Sequence, residues 1–300
     1  MSFLQDIRKA KADGGKPATQ QLVEALQLRL GHRRIGLSEY FEYGLYKRDV
    51  SPECLTQFIG WRESGELDRR LNDDYSRVLA NDKLLNYLLL QHAGFPIPEP
   101  IASFTPTRRS IGGEIRLGSI DEVRAFLDSD IYPFYSKPIA AGYGRSVFGV
   151  VGKEGDQLRL MSGQSLEMSE FLKPFSFAPY RGMLFQKPLA AHPEIEALTG
   201  TSAVCCVRMI CFVTSKGPMV HTAFWKIATG RNMLDNFSHG HFGNCLAAVD
   251  IERGRIMRVI EKLGPGGEVV QLPGTGKAVR GFELPDWDNI LFPQIGLTDP

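Results

Sequence analysis

No stretch of this sequence approaches the roughly 18 consecutive apolar residues needed to cross a bilayer. The segment from Met1 to Lys16 alternates charged with small residues and lacks the apolar centre of a secretory leader. Neither a membrane span nor a signal peptide is expected. Charge of one sign is also missing: 35 Lys and Arg stand against 34 Asp and Glu, a net charge of +1. No global field therefore draws nucleic acid or an anionic membrane, and any preference for anions must be local. Cysteine is sparse. Cys54, Cys205, Cys206, Cys211 and Cys245 are odd in number and contain no C-x-x-C pair, which argues against a disulfide framework or a zinc site and points to a reducing cytoplasm. No nucleophile elbow and no Ser/His/Asp or Cys/His arrangement stands out.

What is present is an ordinary globular composition, 43% hydrophobic over 300 residues, enough for one large domain or two modest ones. Three regions are expected: a helical segment over 1–76, then 77–185, then 186–300. In the first, Leu22, Ala25, Leu26 and Leu28–Leu30 recur at helical spacing. Tyr40, Phe41, Tyr43, Leu45 and Tyr46 read as its packed core, and Pro52 can open a further helix. Lys83 to Ala93 reads as a helix capped by Asn81 or Asp82, with Leu84, Leu85, Leu88 and Leu89 as its apolar side and Gly94 as its stop. Ser119 to Glu122 matches a capping box.

From Ile131 the texture turns to strands. Pro133 to Ile139 is one strand, and Val147 to Val151 with Gln157 to Met161 form a hairpin. Met183 to Gln186 is a short strand and His192 to Leu198 a short helix. Ser202 to Val213 and Met219 to Ile227 make a longer strand pair. Mixed helices and hairpins without regular βαβ alternation point to an α+β fold.

Four cations stand where the pattern wants apolar residues. Lys83 lies in the first turn of its helix, where the macrodipole disfavours a cation unless an anion docks beside it. Lys137 is the only charge between Ile131 and Ala141 and directly precedes Gly142-Tyr-Gly-Arg-Ser146, whose alternate glycines let backbone N–H groups surround an oxyanion. A hairpin turn uses the same residues, so the lysine before the loop favours phosphate. Arg208 interrupts the apolar run Ala203 to Val213, and Lys226 repeats the anomaly on the next strand. A buried guanidinium needs a carboxylate partner or a cleft that holds an anion. Two such residues on one hairpin favour the second. The segment Asn232 to Asn244 gathers Asp, Asn, His and Gly in a site-like loop, although His239 and His241 alone do not make a metal site.

These residues resemble the ATP-grasp superfamily, and most closely its sugar-transfer-associated branch. The match is carried by Asn81 to Leu85 with Gly94 to Pro98, by Ser136 to Pro138 and the glycine loop, by Leu184 to Leu189 with His192-Pro193, and by Val207-Arg208 with Asp235 to Gly240. Gly281 to Trp287 resembles that branch's Pro-Trp segment. The resemblance implies two α+β lobes enclosing a nucleotide cleft, preceded here by a helical N-terminal region, with ATP and Mg²⁺ as cofactors. It implies that Lys83 and Lys137 grip the ATP phosphates and that Gly142, Gly144, Arg145 and Ser146 close over them. Gln186, Lys187 and Leu189 would form the hinge whose backbone reads the adenine edge. Arg208, Lys226 and Asn236 would act at the transferred phosphoryl group.

The implied reaction activates a small-molecule or glycan-linked carboxylate for capture by an amine or similar nucleophile, in glycan or exopolysaccharide biosynthesis, with no nucleic acid involved. In one respect the chain departs from the family: no Glu-x-Asn, the family's metal-binding segment, follows Arg208. Three readings stay open: Asp235 or Asp250 holds the metal, the carboxylate-bearing segment lies beyond this chain, or the chain binds ATP without chemistry. An ATP-grasp kinase is a further alternative to the ligase.

Overall fold

The computed structural model describes residues 3–140, 146–176 and 182–291. The chain forms two compact units. One is assembled from residues 1–73, 206–227 and 237 onward, the other from 74–205 and 228–236. The helical N-terminal region and the last sheet, which the linear division into three regions separates, thus pack as one body.

The N-terminal region contains α1 (Phe3–Ala12), α2 (Ala18–Leu30), α3 (Leu37–Glu42), α4 (Pro52–Leu55) and α5 (Trp61–Leu71). Pro52 opens α4 as expected, with the Ser51 hydroxyl accepting from the Cys54 N–H. Tyr40, Phe41, Leu45 and Tyr46 are buried together with Ile7, Ala10, Ala25 and Ile35. The buried side of α2 is Gln21 and Ala25, whereas Leu22 and Leu26, expected inside, are exposed. Gln21 tolerates burial because its amide donates to the Lys16 carbonyl at 2.6 Å. Glu39 is buried for a similar reason, accepting from the Trp61 N–H and the Tyr43 hydroxyl.

The second unit comprises α6 (Asp74–Asn81), α7 (Lys83–His92), β1 (Pro100–Phe104), β2 (Ile115–Leu117), α8 (Ile120–Leu127), β3 (Phe134–Pro138), β4 (Phe148–Glu154), β5 (Gln157–Leu160), β6 (Ser165–Glu167), α9 (Met168–Leu172), β7 (Met183–Gln186) and α10 (Pro193–Thr199). Its sheet runs in the order β2-β1-β7-β3-β4-β5-β6, antiparallel except for the β1–β2 pair. Strand alternation turns Phe134, Ser136 and Pro138 into the core and leaves Tyr135 and Lys137 on the other face. The core is aromatic: the Phe185 ring centroid lies 5.0 Å from that of Phe126, 5.4 Å from Phe134 and 5.9 Å from Phe175. The capping box opens α8, with Ser119 Oγ accepting from Glu122 N–H and the Glu122 carboxylate from Gly118 N–H. β4 runs on to Glu154, past the expected end at Val151, because β5 offers partners as far as the Glu154–Gln157 pair.

The first unit is completed by β8 (Val207–Thr214), β9 (Gly217–Ile227), β10 (Cys245–Val249), β11 (Ile256–Ile260) and α11 (Trp287–Leu291), its sheet ordered β11-β10-β9-β8 and wholly antiparallel. Ala223, Trp225 and Ile227 form its buried face with Ala247, Val249 and Val259, and Phe282 stacks on Trp225. The Pro-Trp segment has a structural job here: Trp287 donates to the Ile251 carbonyl at 2.7 Å and packs on Gly254, where any Cβ would strike the indole. No described helix is long and apolar enough to cross a membrane, and all five cysteines are free thiols.

Candidate functional site

The expected cations of the second unit gather where α7 meets the ends of β3 and β7. Asp82 caps α7, its Oδ1 accepting from the Leu84 and Leu85 N–H groups, while its Oδ2 takes Arg109 at 2.8 Å. The anion at this helix start is therefore the protein's own carboxylate. Lys83, next in sequence, is turned toward β3: its backbone N–H reaches the Ile139 carbonyl at 3.1 Å and its Nζ the same oxygen at 3.4 Å. Burial holds the Lys83 ammonium below the usual lysine range, with the neighbouring Asp82 charge opposing the shift.

Lys137 emerges from β3 on the open face and donates to the Tyr87 hydroxyl at 2.8 Å. That hydroxyl in turn donates to Gln186 Oε1, also at 2.8 Å. β3 and β7 pair with Lys137 opposite Leu184 and Tyr135 opposite Gln186, so strand register brings the lysine and the expected hinge together. Within the hinge, Lys187 is bound to Glu99 through both its backbone N–H, at 2.9 Å to the Glu99 carbonyl, and its side chain, at 2.7 Å.

Leu189 lines a cavity of about 830 Å³ contained in this unit, with Tyr135, Pro188, Ser162, Arg231 and Met233 among its walls. Such a volume accommodates a nucleotide-sized ligand. Two polar groups mark it: the Tyr135 hydroxyl donates to the Met233 carbonyl at 3.2 Å, and the buried Ser162 Oγ has no hydrogen-bond partner among the described residues. Ser146 is described, in the left-handed region at φ 54°; Gly142, Gly144 and Arg145 lie outside the described residues.

In the other unit, Arg208 and Lys226 share one face of the β8–β9 pair, since Arg208 lies opposite Phe224 and Lys226 follows two residues on. It is the face opposite Trp225. Arg208 is exposed and makes no ion pair with a carboxylate among the described residues, so the core ion pair that the strand pattern allowed is not formed. Of the residues considered for metal, Asp235 is buried beside Asn236, whereas Asp250 accepts from the Glu252 N–H inside the β10–β11 turn. Among the described residues no three His, Cys, Asp or Glu side chains come together in a metal-holding group.

The sequence model of the sugar-transfer associated ATP-grasp family matches residues 62–293. The chain belongs to this family. Among curated proteins and among solved structures nothing matches it. The matched span begins inside α5, so α1 to α4 precede the ATP-grasp region. Members of ATP-grasp families are in general ATP-dependent, ligase-like enzymes, and this family is associated with sugar transfer.

Two features of this residue cluster leave little trace in the sequence. One is Tyr87, hidden among the leucines of α7; the signal was its position four residues after Lys83, on the same side of the helix. The other is the Asp82–Arg109 pair, for which long-range sequence separation leaves no local mark. Replacing Asp82 by alanine should remove the cap and leave Arg109 without its partner. We expect a loss of about 1–2 kcal/mol, read as a lower denaturant midpoint, with Asp82→Asn retaining part of the cap.

Proposed function

We propose that this ATP-grasp protein binds ATP as its magnesium complex and uses it to activate a carboxylate for ligation in glycan or exopolysaccharide biosynthesis. The observation that supports this best is the convergence of Lys83 and Lys137 at the end of β3, with Gln186 joined to Lys137 through Tyr87. The same face of β3 carries Tyr135, a wall of the cavity of about 830 Å³, although neither lysine lines it. In this reading the two lysines hold the phosphates and the backbone of Gln186 to Leu189 reads the adenine edge. Arg208 and Lys226 neutralise charge on the transferred phosphoryl group, with Asn236 beside it. Mg²⁺ arrives on the phosphates with its substrate, a mode that needs few protein carboxylates; Asp235 and Asp250 are the protein oxygens proposed to reach it.

The chemistry then has two steps. A carboxylate oxygen attacks the γ-phosphorus and the bond to the ADP oxygen breaks, giving an acyl phosphate and ADP. An amine or similar nucleophile adds to the acyl carbon, loses its proton and expels inorganic phosphate. Two readouts test this. With ATP, magnesium, a carboxylate panel and hydroxylamine, hydroxamate and free phosphate should form only when an accepted carboxylate is present. A kinase would instead give ADP and a phosphate ester. Binding with no turnover over the whole panel would favour a nucleotide-binding module instead.

Replacing Lys137 by alanine should weaken ATP binding at least about tenfold, a loss of roughly 1.4 kcal/mol, modest for a charge-assisted phosphate contact. Equal affinities by calorimetry would remove Lys137 from the site.

A further inference from the structure

We propose that Tyr87 is the positioning residue of the nucleotide site, fixing Lys137 and Gln186 relative to each other through its hydroxyl. The inference rests on the nucleotide reading given above and names a residue that reading does not use. Tyr87 is buried, and its ring stands beside Lys137, whose Nζ lies 5.0 Å from the ring centroid and 2.8 Å from the hydroxyl. The hydroxyl is both acceptor and donor: it takes an N–H from Lys137 and gives its own proton to Gln186 Oε1. One oxygen therefore joins two strand ends, β3 through Lys137 and β7 through Gln186.

The direction of this chain matters. A lysine ammonium can only donate, so the tyrosine oxygen must accept there, and its single proton is left for the glutamine carbonyl. The amide of Gln186 is held with its oxygen toward Tyr87, which turns its NH₂ group away. Burial pushes the Tyr87 hydroxyl up to about 12, so the donor and acceptor roles persist across the working pH range.

Placement on α7 adds a second constraint. Lys83, one turn earlier, is tied to the Ile139 carbonyl just past the end of β3, and Tyr87 to Lys137 within it. The helix thus grips β3 at two points and sets the spacing of both phosphate-holding lysines. Lysine has several rotatable bonds, and holding its ammonium before the ligand arrives lowers the ordering cost at binding. Tyr87 itself need not touch the nucleotide.

A double-mutant cycle tests this, with ATP affinity measured by calorimetry for the wild type, Tyr87→Phe, Lys137→Met and the double variant. Phenylalanine keeps the ring and deletes the hydroxyl alone. In the wild-type background Tyr87→Phe should weaken ATP binding about tenfold, and in the Lys137→Met background less than about twofold, because the hydroxyl acts through the lysine. The same factor in both backgrounds would make Tyr87 merely structural, and no loss in the wild-type background would make it irrelevant; either result overturns the proposal. Wild-type affinity in Lys137→Met alone would sink the nucleotide reading first and the inference with it. If Tyr87→Phe does not fold, Tyr87→Met, which keeps helix propensity and apolar volume, is taken through the same cycle. Failure of both to fold would also overturn a positioning role.

Discussion

Phe185→Ala is expected to cost about 3–5 kcal/mol of stability, the largest effect of any single side chain considered for this protein. The ring is fully buried in β7 and packs against Phe126, Phe134 and Phe175. Those neighbours sit on α8, on β3 and in the turn 173–176, so no one element can move in to fill the space. A cavity would remain, and its cost adds to the lost transfer energy of the ring. Phe212 supplies the control: it is a phenylalanine in a strand of the other sheet, but 37% exposed, and its replacement by alanine should stay within about 0.5 kcal/mol. Urea unfolding of the two variants checks the contrast. Comparable losses for both would mean that the aromatic cluster does not carry the stability of its unit.

Arg208→Met should separate stability from binding more sharply than any other change. A core ion pair at this position would, once broken, leave an unpaired carboxylate and cost about 3–5 kcal/mol. The structure excludes that cost, since Arg208 is exposed and no carboxylate among the described residues pairs with it. The unliganded variant should therefore melt within a few degrees of wild type. ATP with magnesium should then protect it much less. A charge-assisted contact contributes about 1.5–3 kcal/mol. At a ligand concentration a hundredfold above the wild-type Kd, stabilisation of about 2.7 kcal/mol would shrink to about 0.3–1.3 kcal/mol. The measurement is the melting shift on adding ATP and magnesium. An unchanged shift would take Arg208 out of the proposed phosphoryl site.

Local chemistry made parts of this molecule readable in advance. Asp82 before Lys83 and Gly94 after the helix mark α7 because a cap and a left-handed stop act on the nearest residues alone; Gly94 indeed sits at φ 77°. Ser119 and Glu122 announce α8 in the same way. Long-range partners were not readable. The apolar run from Ser202 was expected to be strand throughout, yet β8 begins only at Val207. Pairing needs a neighbour, and β9 supplies residues only up to Ile227, with the Lys226 N–H reaching the Cys206 carbonyl just before β8 begins.

In α7 the leucine pattern suggested a face of Leu84, Leu85, Leu88 and Leu89. The helix instead buries Leu84 and Tyr87, because tyrosine offers a hydroxyl to Lys137 and Gln186 that leucine cannot. β10 and β11 were missed for another reason: each is five residues long and adjoins turn sequence, so neither offers enough alternation to count. Of the site, the lysines of α7 and β3 could be suspected from charge in apolar surroundings. The hydroxyl that joins Lys137 to Gln186 could not.

The threading of the chain through its two units constrains how the protein can be made and cut. The N-terminal helices reach forward to the last sheet, Lys47 pairing with Glu268 and Asp13 accepting from the Gly266 N–H, yet all of residues 74–205 are synthesised in between. At cellular elongation rates of about 5–20 residues per second, the helices wait on the order of ten seconds for their partner strands. During that interval their own aromatic cluster must hold them together. The same threading means that no single scission between residues 74 and 236 yields two fragments that each contain a whole unit. A shortened protein that begins at residue 62, where the family match starts, would expose the faces of β11 and the following loop that Tyr46, Lys47 and Asp13 now border. For expression, the helical N-terminus is therefore part of the folding unit rather than a removable extension.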